Sequence, residues 1–216
     1  MWMPSVGVHG FPMPETVAVI LAGGAGRRMG GNKPERRLFG QRLIDRSVQK
    51  ARTWGLPTAL SVKEPDQVSV PGCETIVDAD FDGPIAGLIA GLTWADKRRA
   101  THVLFMPCDM PFVPDALLER FEAAREYACQ PVVAASGDHW HPVCALWTVA
   151  RLPDVLDFAR SGGTRLTTVL TDCGAVDVSW DTHPFDPFFN INSLEDLNAA
   201  EDIARSEGLV QEVDGG

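Results

Sequence analysis

Six apolar residues in a row, Val17-Ala18-Val19-Ile20-Leu21-Ala22, run into Gly23-Gly24-Ala25-Gly26, and Arg27, Arg28 and Lys33 follow at once. A short, β-branched run without a polar break reads as a strand buried on both faces, the kind found inside a parallel sheet covered on either side. The glycines let the backbone turn sharply and approach a ligand with no Cβ in between. Amide N–H groups in such a turn cradle phosphate oxygens, and the cations beyond neutralise the remaining charge. A glycine turn beside a solvated basic loop accounts for the same residues without a ligand, so the rest of the chain must decide.

The two commonest nucleotide motifs do not fit. A dinucleotide fingerprint counted from Gly24 through Gly26 requires glycine where Met29 stands. A Walker A loop requires Gly-Lys-Ser/Thr, whereas Lys33 lies between Asn32 and Pro34. Apolar periodicity predicts helices over 42–53, from Pro84 through about 95, over 114–127, 153–159, 166–171 and 194–206. It predicts strands over 57–62, 74–77, 101–106, 130–135, 142–147, 175–180 and 188–191. Strands and helices alternate through the first two-thirds, which predicts an α/β fold with a mostly parallel sheet and helices on both faces. Ser193 is placed to cap the last helix, with Glu195 and Asp196 in its first turn. One domain is expected over 15–207. A dispensable N-terminal tail is expected at 1–14, with Met13 as a possible start, and a polar tail at 208–216.

The chain has 216 residues, 45% of them hydrophobic, enough for one full core. A net charge of −10 disfavours nucleic acid and anionic membranes as partners. Against it stands one local positive island, nine Lys/Arg between Gly24 and Trp54, suited to a small polyanion or to the solvated face of a helix. Five cysteines, odd in number and without a Cys-x-x-Cys pair, argue against a disulfide framework or zinc site and for a reducing cytoplasm. No apolar run approaches the ~20 residues of a membrane span, and the first dozen residues lack the basic region of a signal peptide.

Asp109 lies in Pro107-Cys108-Asp109-Met110-Pro111, just past the second buried strand. Ligands of open α/β sheets bind beyond the carboxyl ends of strands, and a hard carboxylate oxygen there suits Mg²⁺ bridging phosphates. The alternative is an aspartate closing its own turn. Asp78, Asp80 and Asp82 precede Gly83-Pro84-Ile85-Ala86-Gly87 and are in the main solvated. Asn190 and Asn192 alternate, so both project from one face of the expected strand end, where they either reach a ligand or cap the last helix. His139 and His141 share a strand face, an arrangement seldom found to hold a metal without further ligands.

These segments together resemble the molybdenum cofactor guanylyltransferases of the nucleotide-diphospho-sugar transferase superfamily. The family signature Leu-Ala-Gly-Gly-x-x-x-Arg-Met-Gly-x-x-Lys is matched by Leu21-Ala22-Gly23-Gly24, Arg28-Met29-Gly30 and Lys33. Segments resembling the family's Gly-Pro-Leu-Ala-Gly, Pro-Cys-Asp-x-Pro, His-Pro-x-x-Ala-Leu and Asn-x-Asn-Thr-Pro-Glu-Asp-Leu follow in order, at Gly83, Pro107, His141 and Asn190. The chain departs from the family at Asn32, at Pro34-Glu35-Arg36, and at Ser61, where the family has an asparagine.

The resemblance implies a three-layer α/β/α sandwich, Rossmann-like and of nucleotide-diphospho-sugar transferase type. It implies transfer of GMP from GTP to molybdenum-molybdopterin, giving molybdopterin guanine dinucleotide and pyrophosphate, with Mg²⁺ (or Mn²⁺) as cofactor. Lys33, Arg28 and Asp109 would be catalytic, with Asp109 the metal ligand. Leu21, Ala22, Gly23, Gly24, Lys33, Ser61, Asp78 and Asp109 would bind the nucleotide, Asp80 being the alternative to Asp78. Asn190, Asn192, His141 and Arg165 would face molybdopterin. Molybdenum-insertion proteins and acceptor molybdoenzymes are the implied protein partners, in the cytoplasm. Gly23 in place of alanine implies GTP over CTP. Two other readings share these residues: a related nucleotidyltransferase using CTP or another phosphorylated acceptor, and a weakly active homologue that binds nucleotide or cofactor.

Overall fold

The computed structural model describes residues 15–24, 31–77, 80–125 and 129–209. Along the chain come β1 (Thr16–Leu21), β2 (Arg37–Leu38), β3 (Gln41–Arg42), α1 (Leu43–Thr53), β4 (Thr58–Val62), β5 (Glu74–Val77), α2 (Pro84–Lys97) and β6 (His102–Pro107). Then follow α3 (Leu117–Ala124), β7 (Val132–Ser136), β8 (His139–Thr148), α4 (Leu152–Arg160), α5 (Leu166–Asp172), β9 (Val176–Trp180) and α6 (Leu194–Ser206). Seven strands form one sheet in the order β5-β4-β1-β6-β8-β7-β9. Every pairing is parallel except the two made by β8. This is the mostly parallel α/β sheet expected from the alternation of patterns.

β1 and β6 lie centrally, and their sequences show why. Successive strand side chains point to opposite faces. Val17, Val19, Val103 and Phe105 pack on one side with α2, α4 and α5, while Ala18, Ile20, Leu104 and Met106 pack on the other with α1 and α3. Two cores on one sheet demand apolar residues at every position of the shared strands. Each buried Val, Leu, Ile, Met or Phe contributes about 1.5–3 kcal/mol. The result is the three-layer sandwich. α2 comes close to the sheet because of Gly91, where a Cβ would meet the Phe105 ring and stand 3.2 Å from Val19 Cγ2.

A third apolar cluster, Leu38, Leu43, Phe112, Ile191, Ala200 and Ala204, fastens α6 and the β2–β3 hairpin beside the segment that follows β6. α6 begins with the expected cap: Ser193 accepts from the Asp196 N–H at 3.1 Å, and Asp196 accepts from the Ser193 N–H at 2.9 Å.

Three expectations are corrected. The strand placed at 188–191 is irregular backbone, because Ile191 N–H bonds the Asp109 carbonyl (2.9 Å) rather than a sheet neighbour. The helix placed at 114–127 is described only as Leu117–Ala124, and Asp115 accepts from Lys50 on α1 instead of leading a helix. The β2–β3 hairpin lies where no strand was expected. The expected tail at 1–14 and all but the first two residues of the one at 208–216 lie outside the described residues, while Gly208 and Leu209 close α6 with bonds to Arg205 and Ala204.

Candidate active site

Register brings the site together. Leu21 at the end of β1 is opposite Pro107 of β6 on one side and Ser61 of β4 on the other. Whatever follows these three residues therefore emerges side by side at the carboxyl edge of the sheet. It does so where the strand order reverses, from β1, β4 and β5 on one side to β6 on the other. The cavity at that edge measures about 290 Å³ and is lined by Leu21, Gly23, Gly24, Ser61, Asp109 and Asn190, among others. Gly24 faces open space: a Cβ there would meet nothing within 4 Å. Gly83, at φ 78, turns the chain into α2 and closes another side of the cavity.

Lys33 reaches this edge from a single 3-10 turn, Lys33–Glu35, entered through Asn32 in left-handed backbone at φ 53. Asparagine tolerates that conformation because its short amide bonds locally. The Lys33 side chain is buried, and its Nζ donates to Asp109 Oδ2 and to Asn192 Oδ1 (2.8 Å). Asn192 is in turn held by the α6 cap, since Asp196 accepts from the Asn192 N–H at 2.8 Å. That bond, with those from Ser193, keeps the Asp196 carboxyl below its ordinary range. A chain of contacts thus runs from the α6 cap through Asn192 and Lys33 to Asp109.

Among the described residues, five buried side-chain polar atoms lack a hydrogen-bond partner, and two of them, Asp109 Oδ1 and Asn190 Oδ1, belong to residues lining this cavity. A buried acceptor left unpaired costs about 1–3 kcal/mol, so the two oxygens are open to a ligand's donor or to a cation. Both are hard oxygen ligands of the type Mg²⁺ takes. Cys108, which precedes Asp109 in the Pro-Cys-Asp turn, is buried, and burial followed by the charge of Asp109 pushes its thiol well up. It stays protonated and supplies no nucleophile.

A second cavity of about 550 Å³ shares Gly83, Pro84 and Val143 with the first and is also lined by Asp82, Thr164 and Arg165. Arg165 is exposed on its wall. His141 lines neither cavity: its Nε2 contacts Ser136 Oγ at 2.7 Å and its ring stacks on Phe188 at 4.7 Å, while Pro142 and Val143 after it form cavity wall. Burial lowers the His141 pKa from 6.5, against the opposing pull of Asp186. Ala22 points its side chain into the core and contributes only backbone. Asp80 lies in grooves beside Phe81, apart from the first cavity. Arg28 and Asp78 lie outside the described residues.

Much of the positive island serves the fold. Arg42 pairs with Asp45 and Glu35, Lys50 with Asp115, and Arg37 and Arg52 bond backbone carbonyls. The sequence reading missed Lys63 and Val143, which also line the first cavity. Lys63 stands two residues beyond Ser61, on the same strand face by the two-residue period, and that spacing was the available signal.

A family model described as the MobA-like NTP transferase domain matches residues 18–175. A molybdenum cofactor guanylyltransferase from Nitrobacter hamburgensis is 35% identical, over 91% of this chain and 98% of the relative. One from Rhodopseudomonas palustris is 36% identical, over 88% of this chain and 95% of the relative. Among solved structures, molybdopterin-guanine dinucleotide biosynthesis protein A from Archaeoglobus fulgidus superposes with a TM-score of 0.68 at 26% identity, covering 88% of this chain and 98% of that one.

Proposed function

The chain belongs to the family of MobA-like NTP transferase domains, and from that premise we propose that it transfers the guanylyl group of GTP to the phosphate of molybdenum-molybdopterin, releasing pyrophosphate. The observation that carries the reading is the convergence of the glycine turn, Asp109 and Lys33 at one edge of the sheet. Gly23 and Gly24 admit the triphosphate against the backbone, and Ser61 and Lys63 line the same cavity from the neighbouring strand.

Asp109 and Asn190 would hold the Mg²⁺ (or Mn²⁺), their free oxygens supplying its ligands. When bound, the ion would offset negative charge on the phosphoryl oxygens. Lys33, with a mobile ammonium on a flexible stem, passes from Asp109 and Asn192 to the oxygens of the leaving pyrophosphate. Arg28 joins it there by resemblance. Molybdopterin occupies the adjoining larger cavity with Arg165 beside its phosphate, and His141 acts from behind by fixing Pro142 and Val143 in that wall. The acceptor phosphate is already an anion, so no strong general base is needed. Rate comes from alignment and charge stabilisation.

No described helix is long and apolar enough to cross a membrane, and five free cysteines fit a reducing cytoplasm. The product would pass from there to acceptor molybdoenzymes. The test is pyrophosphate release from GTP in the presence of Mg²⁺ and molybdenum-molybdopterin. Stoichiometric release with formation of the dinucleotide is expected. GTP binding without release would leave a binding module instead.

A further inference from the structure

Both backbone polar groups of Ala22, the residue that joins β1 to the glycine turn, are held from the β4 side. Its N–H donates to the Ser61 carbonyl at 2.8 Å, which carries the parallel ladder one step beyond β1. In a regular parallel ladder the next rung would run from the Lys63 N–H to the Ala22 carbonyl. Another group stands in that rung. The Lys63 N–H donates to Gln67 Oε1 at 3.0 Å, and Gln67 Nε2 donates to the Ala22 carbonyl at 2.7 Å. A side-chain carboxamide thus bridges the two strand ends in place of the direct bond.

Gln67 is fixed for this task. Its own N–H closes a turn on the Glu64 carbonyl at 3.0 Å, and Val68 and Val70 immediately after it are buried in the core. The strand ends that it bridges both line the cavity, Gly23 and Gly24 after β1, and Ser61 and Lys63 at the end of β4.

We propose that Gln67 is a positioning residue for nucleotide selection, its carboxamide acting as a spacer that sets the distance between the glycine turn and the Ser61–Lys63 wall. This rests on the reading of the cavity as the GTP site. Without the spacer the Ala22 carbonyl loses its fixed donor, and the following glycine peptides lose the anchor that aims them at the triphosphate. The two valines keep the segment attached, so the fold does not depend on the spacer while the width of the cavity does.

Steady-state kinetics with GTP and with CTP test this on the wild type, Gln67→Ala and Gln67→Glu. The glutamate keeps the acceptor for Lys63 but turns a carboxylate oxygen toward the Ala22 carbonyl, so it opens the rung at one end. In both variants KM for GTP should rise about 10-fold, the effect of one lost polar bond at a site. The loss in kcat/KM should be carried mainly by KM, and the GTP-to-CTP ratio of kcat/KM should shrink. Wild-type KM and wild-type ratio in either folded variant, whatever the change in melting temperature, would overturn the role of Gln67. A wild-type protein that does not turn over GTP would overturn the underlying assignment, and this inference with it.

Discussion

Lys33 and Asp109 are 76 residues apart in sequence and meet through their side chains at the edge of the sheet. Asp109→Asn should leave the fold intact, because Asn192 still accepts from Lys33 and the Ile191–Asp109 backbone bond is untouched. It should lower kcat about 100-fold or more, since metal-centred charge stabilisation amounts to several kcal/mol. Turnover and thermal melting on the same preparation check both halves, and wild-type turnover would remove Asp109 from the mechanism. His141 gives a pH prediction. Its folded pKa is lowered by burial, so between that value and about 6.5 the unfolded chain holds a proton that the native state lacks. Its contribution to stability is complete above that window and is lost as pH falls through it. Melting temperature should therefore drop below about pH 6.5, and the drop should be smaller in His141→Asn; equal slopes in the two proteins would contradict the assignment. The place of Asp109 at the carboxyl edge of the sheet was legible in the sequence because it follows a buried strand directly, in a tight turn. Gln67 was not, because its place depends on where a ladder between distant strands ends.

At the scale of elements, short-range patterns carried most of the architecture. β1 and α6 were legible from their apolar run and cap residues. The segment 188–191 was misread because its aromatic residues have a strand-like composition, while the bonds that shape it go to Asp109 and, through Asp186, back to Phe188. Long-range contacts of this kind leave no local period. Two substitutions test the element account. Ser193→Ala removes the side-chain acceptor of the α6 cap and should cost about 1 kcal/mol in denaturant unfolding. Gly91→Ala would raise helix propensity on an exposed helix, but here the new Cβ meets the buried Phe105 ring and Val19. Overpacking should win, with a net loss of about 1–3 kcal/mol. A stabilised Gly91→Ala protein would mean that α2 stands farther from the sheet than described.

For the whole molecule, the distribution of charge matters more than its sum. The chain carries −10 overall, yet its ligand edge holds Lys33 and Lys63 with Asp109 beside a glycine turn. Sheet register places that edge, since Leu21 is opposite both Ser61 and Pro107, and the family relatives named guanylyltransferases share the length of the domain. In the proposed function this edge selects a guanine nucleotide and couples it to molybdopterin. In the proposed reading a two-ring base sits beside Gly23 in the cavity wall, whereas a one-ring base would leave polar groups unpaired at about 1–3 kcal/mol each. Selectivity should fall near the low end of the corresponding range, about 10-fold, because the Ser61 hydroxyl is a short contact. GTP and CTP competing at equal concentration for one limiting pool of molybdenum-molybdopterin, with the dinucleotide products weighed by mass spectrometry, measures this directly. A guanine dinucleotide excess of about 10-fold is expected, and equal products or a cytosine excess would contradict guanine selection.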